Sequence, residues 1–361
     1  MARIYNFASG PSILPLPALE EASRELVDYR HTGMSLIEMS HRGKIYDEVH
    51  NEAIALIKEI LQVPDDYYIL FIQGGATLQF GMIPIAFLGP GKIADFILTG
   101  TWARKAHEDA KLIGNPHVIW DGASEKYRRI PDQRELQYTP GAEYVHICSN
   151  ETIDGIQWQK MPTTGNIPLI VDMSSDIMSR PVEWDKVSML FAGTQKNLAP
   201  AGMALVVMKK ELVEKARKDV PAYLRYDLHA KENSLYNTPP TFTVWMTTLT
   251  LRWIKSIGGL PEIEKRRDEK AAILYNAIDS SNGYYNCPVD KHSRSKMNVV
   301  WRLKNEQLEE KFVKEAEKEG LSGLKGHRSV GGLRASIYNA MPVEGVTALV
   351  DFMNHFMQRN G

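Results

Sequence analysis

A lysine stands where an apolar run gives way to small residues in Phe191-Ala192-Gly193-Thr194-Gln195-Lys196-Asn197. A lysine after a strand is most often a solvated loop residue. Held beside an aldehyde cofactor, its amine instead forms a Schiff base, the part lysine plays in pyridoxal phosphate chemistry. That chemistry also needs a carboxylate to keep the cofactor's ring nitrogen protonated, so that the ring can take up electrons from a substrate Cα. Asp172 meets the need: it directly follows the apolar run 167–171 and, like Lys196, ends a predicted strand. An aspartate there is commonly only a cap or turn residue, so the pair counts for more than either member.

Two more groups fit the same plan. Gln73-Gly74-Gly75-Ala76-Thr77 follows the run 68–72 and opens a helix toward Leu88. A glycine pair makes tight turns, but a helix N-terminus with unhindered N–H groups also suits a phosphate. The spacing does not match the nucleotide fingerprints, whose glycines sit at wider fixed offsets. In Leu98-Thr99-Gly100-Thr101-Trp102 a tryptophan again comes just after a strand. Burial in a core is the commoner fate of tryptophan. At the same sheet edge as Lys196 and Asp172, its ring is placed to stack on a flat cofactor.

These residues require a sheet whose strand ends converge. Short apolar runs at 68–72, 93–98, 117–120, 144–148, 169–171, 189–191 and 204–208 alternate with longer polar, helical or turn-rich segments. Runs apolar on both pleat faces are strands covered from both sides, which predicts an α/β fold with a mostly parallel sheet. Ligands of such sheets gather at the carboxyl ends of the strands. Ala53, Leu56, Ile57, Ile60 and Leu61 form one helical stripe, with Pro64 beyond it as a stop. Further helices are predicted over 18–29, after an extended start bearing Pro11, Pro15 and Pro17, and over 243–256.

Gly258-Gly259 closes the latter helix and Leu260-Pro261 starts a new segment, which sets a domain boundary near 258. The expected division is a large cofactor-binding domain, 16–258, and a smaller α+β domain, 259–361, with residues 1–15 packing against the small one. In the small domain, helices are predicted over 262–277, over 307–319 and after 344, with strands over 298–303 and 333–337.

Composition narrows the function. With 361 residues, 24% charged and 43% hydrophobic, the chain has the length for a sizeable core and is neither disordered nor fibrous. Its net charge of −1 gives no overall attraction to polyanions, so no nucleic-acid partner is expected. No apolar stretch approaches the roughly 18 residues of a spanning helix, and no membrane role is expected. Cys148 and Cys287 are too few for a disulfide framework, and the first residues lack the layout of a secretory signal. A reducing, cytoplasmic location follows as the expectation, and no metal site is expected.

The chain resembles the phosphoserine aminotransferase family, part of class V of the fold-type I pyridoxal phosphate enzymes, over nearly its whole length. The likeness is carried by Asn6-Phe7-Ala8-Ser9-Gly10-Pro11, Met39-Ser40-His41-Arg42-Gly43-Lys44, Ser149-Asn150-Glu151-Thr152-Ile153-Asp154-Gly155 and Gly193-Thr194-Gln195-Lys196-Asn197. Two later segments add to it: Tyr236-Asn237-Thr238-Pro239-Pro240-Thr241-Phe242, and Lys325-Gly326-His327-Arg328-Ser329-Val330-Gly331-Gly332-Leu333-Arg334-Ala335-Ser336. The resemblance implies that Lys196 forms the Schiff base, that Asp172 pairs with the ring nitrogen and that Trp102 stacks on the ring. It puts Thr152 beside the ring and Ala76, Thr77 and Gln195 near the phosphate. Asn237 and Thr238 are expected to reach that phosphate from the neighbouring subunit, giving a homodimer with composite sites. Where some bacterial members carry a glycine followed by arginine, this chain has Ala76-Thr77, so that arginine's help in anion binding is absent.

For substrates, the resemblance implies O-phospho-L-serine with 2-oxoglutarate, and 3-phosphooxypyruvate with L-glutamate. Both pairs are anionic, so a nearly neutral chain must concentrate cations locally. Arg334 is expected at the α-carboxylate, and His41 and Arg42 of the other subunit are expected to join His327 and Arg328 at the phosphate. Lys196, once released, is the expected base at Cα. A place in L-serine synthesis is implied, and in some bacterial members one in pyridoxal phosphate synthesis through a phosphorylated threonine derivative. The rival readings each lack a part. Desulfuration needs a mobile nucleophilic cysteine, which neither Cys148 in a strand nor Cys287 before Pro288 resembles. A non-catalytic phospholigand binder has no use for Lys196 with Asp172, and a nicotinamide dehydrogenase would carry the glycine fingerprint.

Overall fold

The fold follows from where apolar residues alternate at period two and where they recur at a helical period. The computed structural model describes residues 3–361. From the N-terminus the elements run β1 (Tyr5–Asn6), α1 (Leu16–Glu25), α2 (Lys44–Leu61), β2 (Tyr67–Gln73), α3 (Gly75–Phe87), β3 (Ile93–Leu98), α4 (Thr101–Ala110) and β4 (Asn115–Asp121). Next come β5 (Val145–Cys148), β6 (Asn150–Glu151), β7 (Ile156–Gln157), β8 (Leu169–Asp172), β9 (Val187–Gly193), β10 (Met203–Lys209), α5 (Lys210–Lys215), α6 (Tyr226–Lys231) and α7 (Thr241–Ser256). The remainder is α8 (Gly259–Asp279), β11 (Asn298–Trp301), α9 (Glu306–Lys318), β12 (Leu321–Ser322), β13 (Leu333–Ser336) and α10 (Val343–Asn360).

All seven predicted runs form one sheet, in the order β2-β10-β9-β8-β5-β3-β4. Only β10 runs antiparallel to its neighbours; the other pairs are parallel, so the sheet is mostly parallel as the sequence predicts. Successive residues of one strand feed two different cores. Val171, Leu190 and Leu205 pack with Leu56 and Ile57 of α2 and Trp245 and Leu249 of α7. Their neighbours Ile170, Phe191 and Val206 pack with Phe80 and Ile83 of α3 and with Ala106 of α4. Double-sided burial is what makes these strands read as unbroken apolar runs.

A third core lies in the C-terminal part, where Trp301, Phe312, Phe352 and Phe356 meet, and Phe7 and Ile13 from the chain's start join it. There β1 pairs in parallel with β12, Tyr5 opposite Leu321. Gly258, at φ 113, turns the chain from α7 into α8. Pro261 then falls in the first turn of α8, where a missing N–H costs nothing.

One predicted helix is shorter than expected. The pattern over 18–29 predicts a single helix, but α1 stops at Glu25 and Tyr29 lies in a separate 3-10 turn with Arg30 at φ 48. The cause is local competition: the Asp28 carboxylate accepts the Gly33 N–H at 2.8 Å, and Tyr29 N–H donates to the Met34 carbonyl at 3.0 Å. Tyr29 still reaches the core, edge-on to Trp245 at 5.6 Å, so the apolar period persists across the break.

Candidate active site

Three strands end together in the middle of the sheet. Cys148 of β5 stands opposite Asp172 of β8, and Asp172 opposite Phe191 of β9. Five residues beyond Phe191 comes Lys196, in a turn clamped by the start of the chain. Ser12 N–H donates to the Gln195 carbonyl at 3.0 Å, and the Ser12 hydroxyl donates to the Lys196 carbonyl.

The Lys196 side chain is buried, and its Nζ donates to Thr152 Oγ1 at 2.7 Å, 5.3 Å from the centre of the Trp102 ring. Burial lowers its pKa, and the Asp172 carboxylate opposes that shift. Asp172 is buried too: its Oδ1 accepts from Ser174 N–H at 2.9 Å and Ser174 Oγ–H at 2.6 Å, while Oδ2 makes no hydrogen bond among the described residues. Burial raises the pKa of this carboxyl, with Lys196 opposing.

Beyond β2 the chain turns through Gly74 at φ 95 and Gly75 at φ 64 and enters α3, so the N–H groups of Ala76 and Thr77 lie at the free N-terminus of that helix. Gln73 just before the turn gathers a distant segment. Its Oε1 accepts from Asn237 Nδ2 at 2.7 Å, and its Nε2 donates to the Thr238 carbonyl. In this chain Asn237 and Thr238 therefore lie next to their own glycine turn. Trp102 sits at the start of α4, its Nε1 buried without a partner among the described residues.

These features fit pyridoxal phosphate. An amine after β9, a carboxylate with one free oxygen at the end of β8, an aromatic face after β3 and an open helix N-terminus after β2 stand at the carboxyl ends of strands of one sheet, and each matches one part of that molecule.

Arg334 on β13 is the buried cation of the site. Its Nη1 donates to the Thr152 carbonyl at 3.2 Å and its Nη2 to Ser9 Oγ at 2.7 Å, and its Nε is buried without a partner. No carboxylate pairs with it among the described residues, and burial lowers its pKa, so an anion is the missing partner. It lines a cavity of about 480 Å3 with Tyr127, Asp154, Arg302 and His327. His327 Nδ1 lies 2.7 Å from Ser329 Oγ. Burial pushes the His327 pKa down, and Arg334, Arg328 and Lys105 push the same way.

Arg328 does not line that cavity; it lines an adjoining groove with Glu310, Lys314 and Glu317, and the two share Gly326, His327 and Gly331. His41 and Arg42, in the turn before α2, make no side-chain hydrogen bond or ion pair to the other candidates among the described residues; the Arg42 N–H donates to Ser40 Oγ. Within one chain, then, the structure gathers Lys196, Asp172, Trp102, Thr152 and Arg334 around one centre and leaves His41 and Arg42 apart from it.

The sequence reading assigned no role to Ser9, Glu151 or Asp154. All three belong to segments that carry the family likeness, but their contacts are made to residues far away in the chain. Glu151 is fully buried; burial and Asp154 push its carboxyl up, while the N–H groups of Ala103 and Trp102 oppose that shift. Neither cysteine is an activated thiol, since burial raises the pKa of both Cys148 and Cys287.

The family described as Aminotransferase class-V matches residues 4–349, and the chain belongs to it. It is 51% identical over 359 residues, 99% of both chains, to phosphoserine aminotransferase of Niallia circulans. The solved structure of phosphoserine aminotransferase from Bacillus circulans subsp. alkalophilus superposes with a TM-score of 0.98 at 51% identity, covering 99% of both chains. Pyridoxal phosphate-bound phosphoserine aminotransferase from Trichomonas vaginalis superposes at 0.93 with 39% identity, over 98% of this chain and 100% of that one. Within class V, the branch to which this chain belongs is the phosphoserine aminotransferase family.

Proposed function

We propose that the chain transfers an amino group from L-glutamate to 3-phosphooxypyruvate, giving 2-oxoglutarate and O-phospho-L-serine, reversibly and in the service of L-serine synthesis, with pyridoxal phosphate as cofactor. The observation that carries this reading is the buried, carboxylate-free Arg334 sharing Thr152 with Lys196. An amino acid or keto acid bears its carboxylate one bond from Cα, so its guanidinium anchor and its base must lie this close together.

When bound, the cofactor supplies an aldehyde that bonds an amine and a ring that takes up the electron pair left at Cα. Lys196 provides the resting amine and, once free, accepts the Cα proton at Nζ. Its lowered pKa favours the neutral amine that a base must be. Asp172 holds a proton at the ring nitrogen through Oδ2, while Ser174 fixes Oδ1. Trp102 covers the ring and keeps water from it, and Thr152 sets the position of Nζ. Ala76, Thr77 and Gln195, with Asn237 and Thr238, bind the cofactor phosphate. Arg334 binds the substrate α-carboxylate, and His41, Arg42, His327 and Arg328 bind the phosphate of O-phosphoserine.

The working unit in this reading is a homodimer in which His41 and Arg42 serve the partner's site, and in which Asn237 and Thr238, bonded to Gln73 beside their own chain's glycine turn, reach the partner's site from there. Exposed Met34 and Ile37 flank one of these segments, and Tyr236 and Phe242 the other. Buried Trp245 packs edge-on against Phe242 and against Tyr29, with ring centres 6.0 and 5.6 Å away. A face of this kind is apolar enough to be covered by a second copy. The chain divides at 258 into a large cofactor-binding domain and a small one; of the N-terminal segment 1–15, residues 1 and 2 lie outside the described residues, and Tyr5, Phe7 and Ile13 pack on the small domain's core. A cytoplasmic location accords with two unpaired cysteines; among the described residues no helix is long and apolar enough to cross a membrane.

The test is transfer of 15N from labelled L-glutamate to 3-phosphooxypyruvate, compared with pyruvate and glyoxylate. The phosphorylated acceptor should be preferred on the order of a hundredfold in kcat/KM, since it alone gains charge-assisted contacts to its phosphate. Preference for glyoxylate or pyruvate would replace this reading with another class V activity.

A further inference from the structure

Glu151 does not line the Arg334 cavity, and it is 0% exposed. Its carboxylate serves one helix end: Oε2 accepts Trp102 N–H at 2.8 Å and Oε1 accepts Ala103 N–H at 2.9 Å. Asp154 Oδ2 accepts Thr101 N–H at 2.9 Å, so three successive free donors at the start of α4 are bonded to acids of one tight turn. Gly100 makes room for this: a Cβ there would come within 2.6 Å of Asp154 Oδ2 and Glu151 Cδ. Thr152, the next residue in that turn, holds Lys196 Nζ. Among the described residues the Trp102 ring makes no hydrogen bond, since Nε1 is unpartnered; it packs beside Phe80 with ring centres 6.4 Å apart, Lys105 Nζ lies 4.6 Å from its centre, and the backbone at 102 sets where it enters the site.

We propose that Glu151 is a positioning residue: by binding the N–H groups of Trp102 and Ala103 it fixes the Trp102 ring over the cofactor site, in register with Thr152 and Lys196. The proposal rests on the pyridoxal phosphate reading above. A carboxylate accepts at both oxygens. A glutamine accepts at one and turns an N–H toward an N–H at the other, and an alanine leaves both backbone donors without a protein acceptor.

The experiment uses the holoenzyme. The rate of cofactor loss and the visible circular dichroism of the bound cofactor are measured for wild type, Glu151→Gln and Glu151→Ala, each also in a Trp102→Ala background. Glu151→Ala should speed cofactor loss about tenfold and weaken the dichroism, with Glu151→Gln in between. Neither substitution should add a further effect when Trp102 is absent, because the effect passes through that ring. If Glu151→Ala does not fold, Glu151→Gln completes the cycle alone. An equal effect in both backgrounds, or none in either, overturns the proposal. A wild-type chain that takes up no pyridoxal phosphate overturns the reading beneath it as well, which is how the two failures are told apart.

Discussion

Lys196 and Arg334 meet on a single residue: the Thr152 hydroxyl accepts from Nζ at 2.7 Å and the Thr152 carbonyl accepts from Nη1 at 3.2 Å. One comes from the turn after β9 and the other from β13, so the centre exists only when the sheet and the C-terminal core are assembled around Thr152. Ser9, from the start of the chain, bonds the other guanidinium nitrogen, and its carbonyl accepts from Tyr338 Oη at 2.7 Å.

Asp172→Asn should retain cofactor and lose transamination. The phosphate contacts are untouched, but an amide does not stabilise a protonated ring nitrogen as charge develops at Cα. The loss expected is about 3 kcal/mol, more than a hundredfold in kcat. Cofactor content by absorbance and single-turnover rates measure the two effects separately, and near-wild-type turnover in a folded variant contradicts the role.

The two arginines of the C-terminal loop should differ. Arg334→Ala should weaken L-glutamate and O-phospho-L-serine alike, because both present an α-carboxylate. Arg328→Ala should spare L-glutamate and cost O-phospho-L-serine about 1.5–3 kcal/mol, roughly tenfold to a hundredfold in half-reaction kcat/KM. Equal losses with both donors make Arg328 a general support of the site; no loss makes it a surface residue of the outer groove.

Composite sites predict complementation. Lys196→Ala and Arg42→Ala should each be inactive alone. In a mixed dimer, one site receives an intact Lys196 from one chain and an intact Arg42 from the other, so partial activity should return once subunits exchange. Exchange without recovery assigns Arg42 to its own chain or to no site.

Lys270 links stability to pH. It is buried, donates to the carbonyls of Tyr338 at 2.6 Å and Met341 at 2.9 Å, and is lowered from 10.5 to about 7 by burial, with Arg266 adding to the shift. Between those two values the unfolded chain binds more protons than the folded one, so this group's contribution to stability grows as pH rises and is lost as pH falls through about 7. The melting-temperature gap between wild type and Lys270→Met should therefore shift in favour of wild type from pH 6.5 to 9. A gap that is flat with pH contradicts it.

Six of the seven strands were legible because burial on both faces leaves them mostly apolar; the edge strand β4, whose residues are exposed or half-buried, shows only its short run 117–120. Lys196, Asp172 and Trp102 were legible because Asp172 ends such a strand and the other two stand within a few residues of a strand end. The run 18–29 misled because Ala18, Ala22 and Tyr29 keep a helical period while Asp28 diverts the backbone. Glu151 was out of reach for another reason. Its partners lie 49 and 48 residues earlier in the chain, and nothing local distinguishes a buried helix-capping glutamate from a solvated one. The antiparallel course of β10 was equally hidden, since a fully buried strand reads the same in either direction.

On the proposed reading, Lys196 holds the cofactor and an amino donor displaces it. Borohydride reduction fixes the bond between amine and cofactor, and peptide mapping then locates it. Reduced at rest, the protein should carry the cofactor on Lys196. Reduced after saturation with O-phospho-L-serine, it should carry almost none. A cofactor fixed to another lysine, or one that stays on Lys196 in the presence of the donor, would contradict the account.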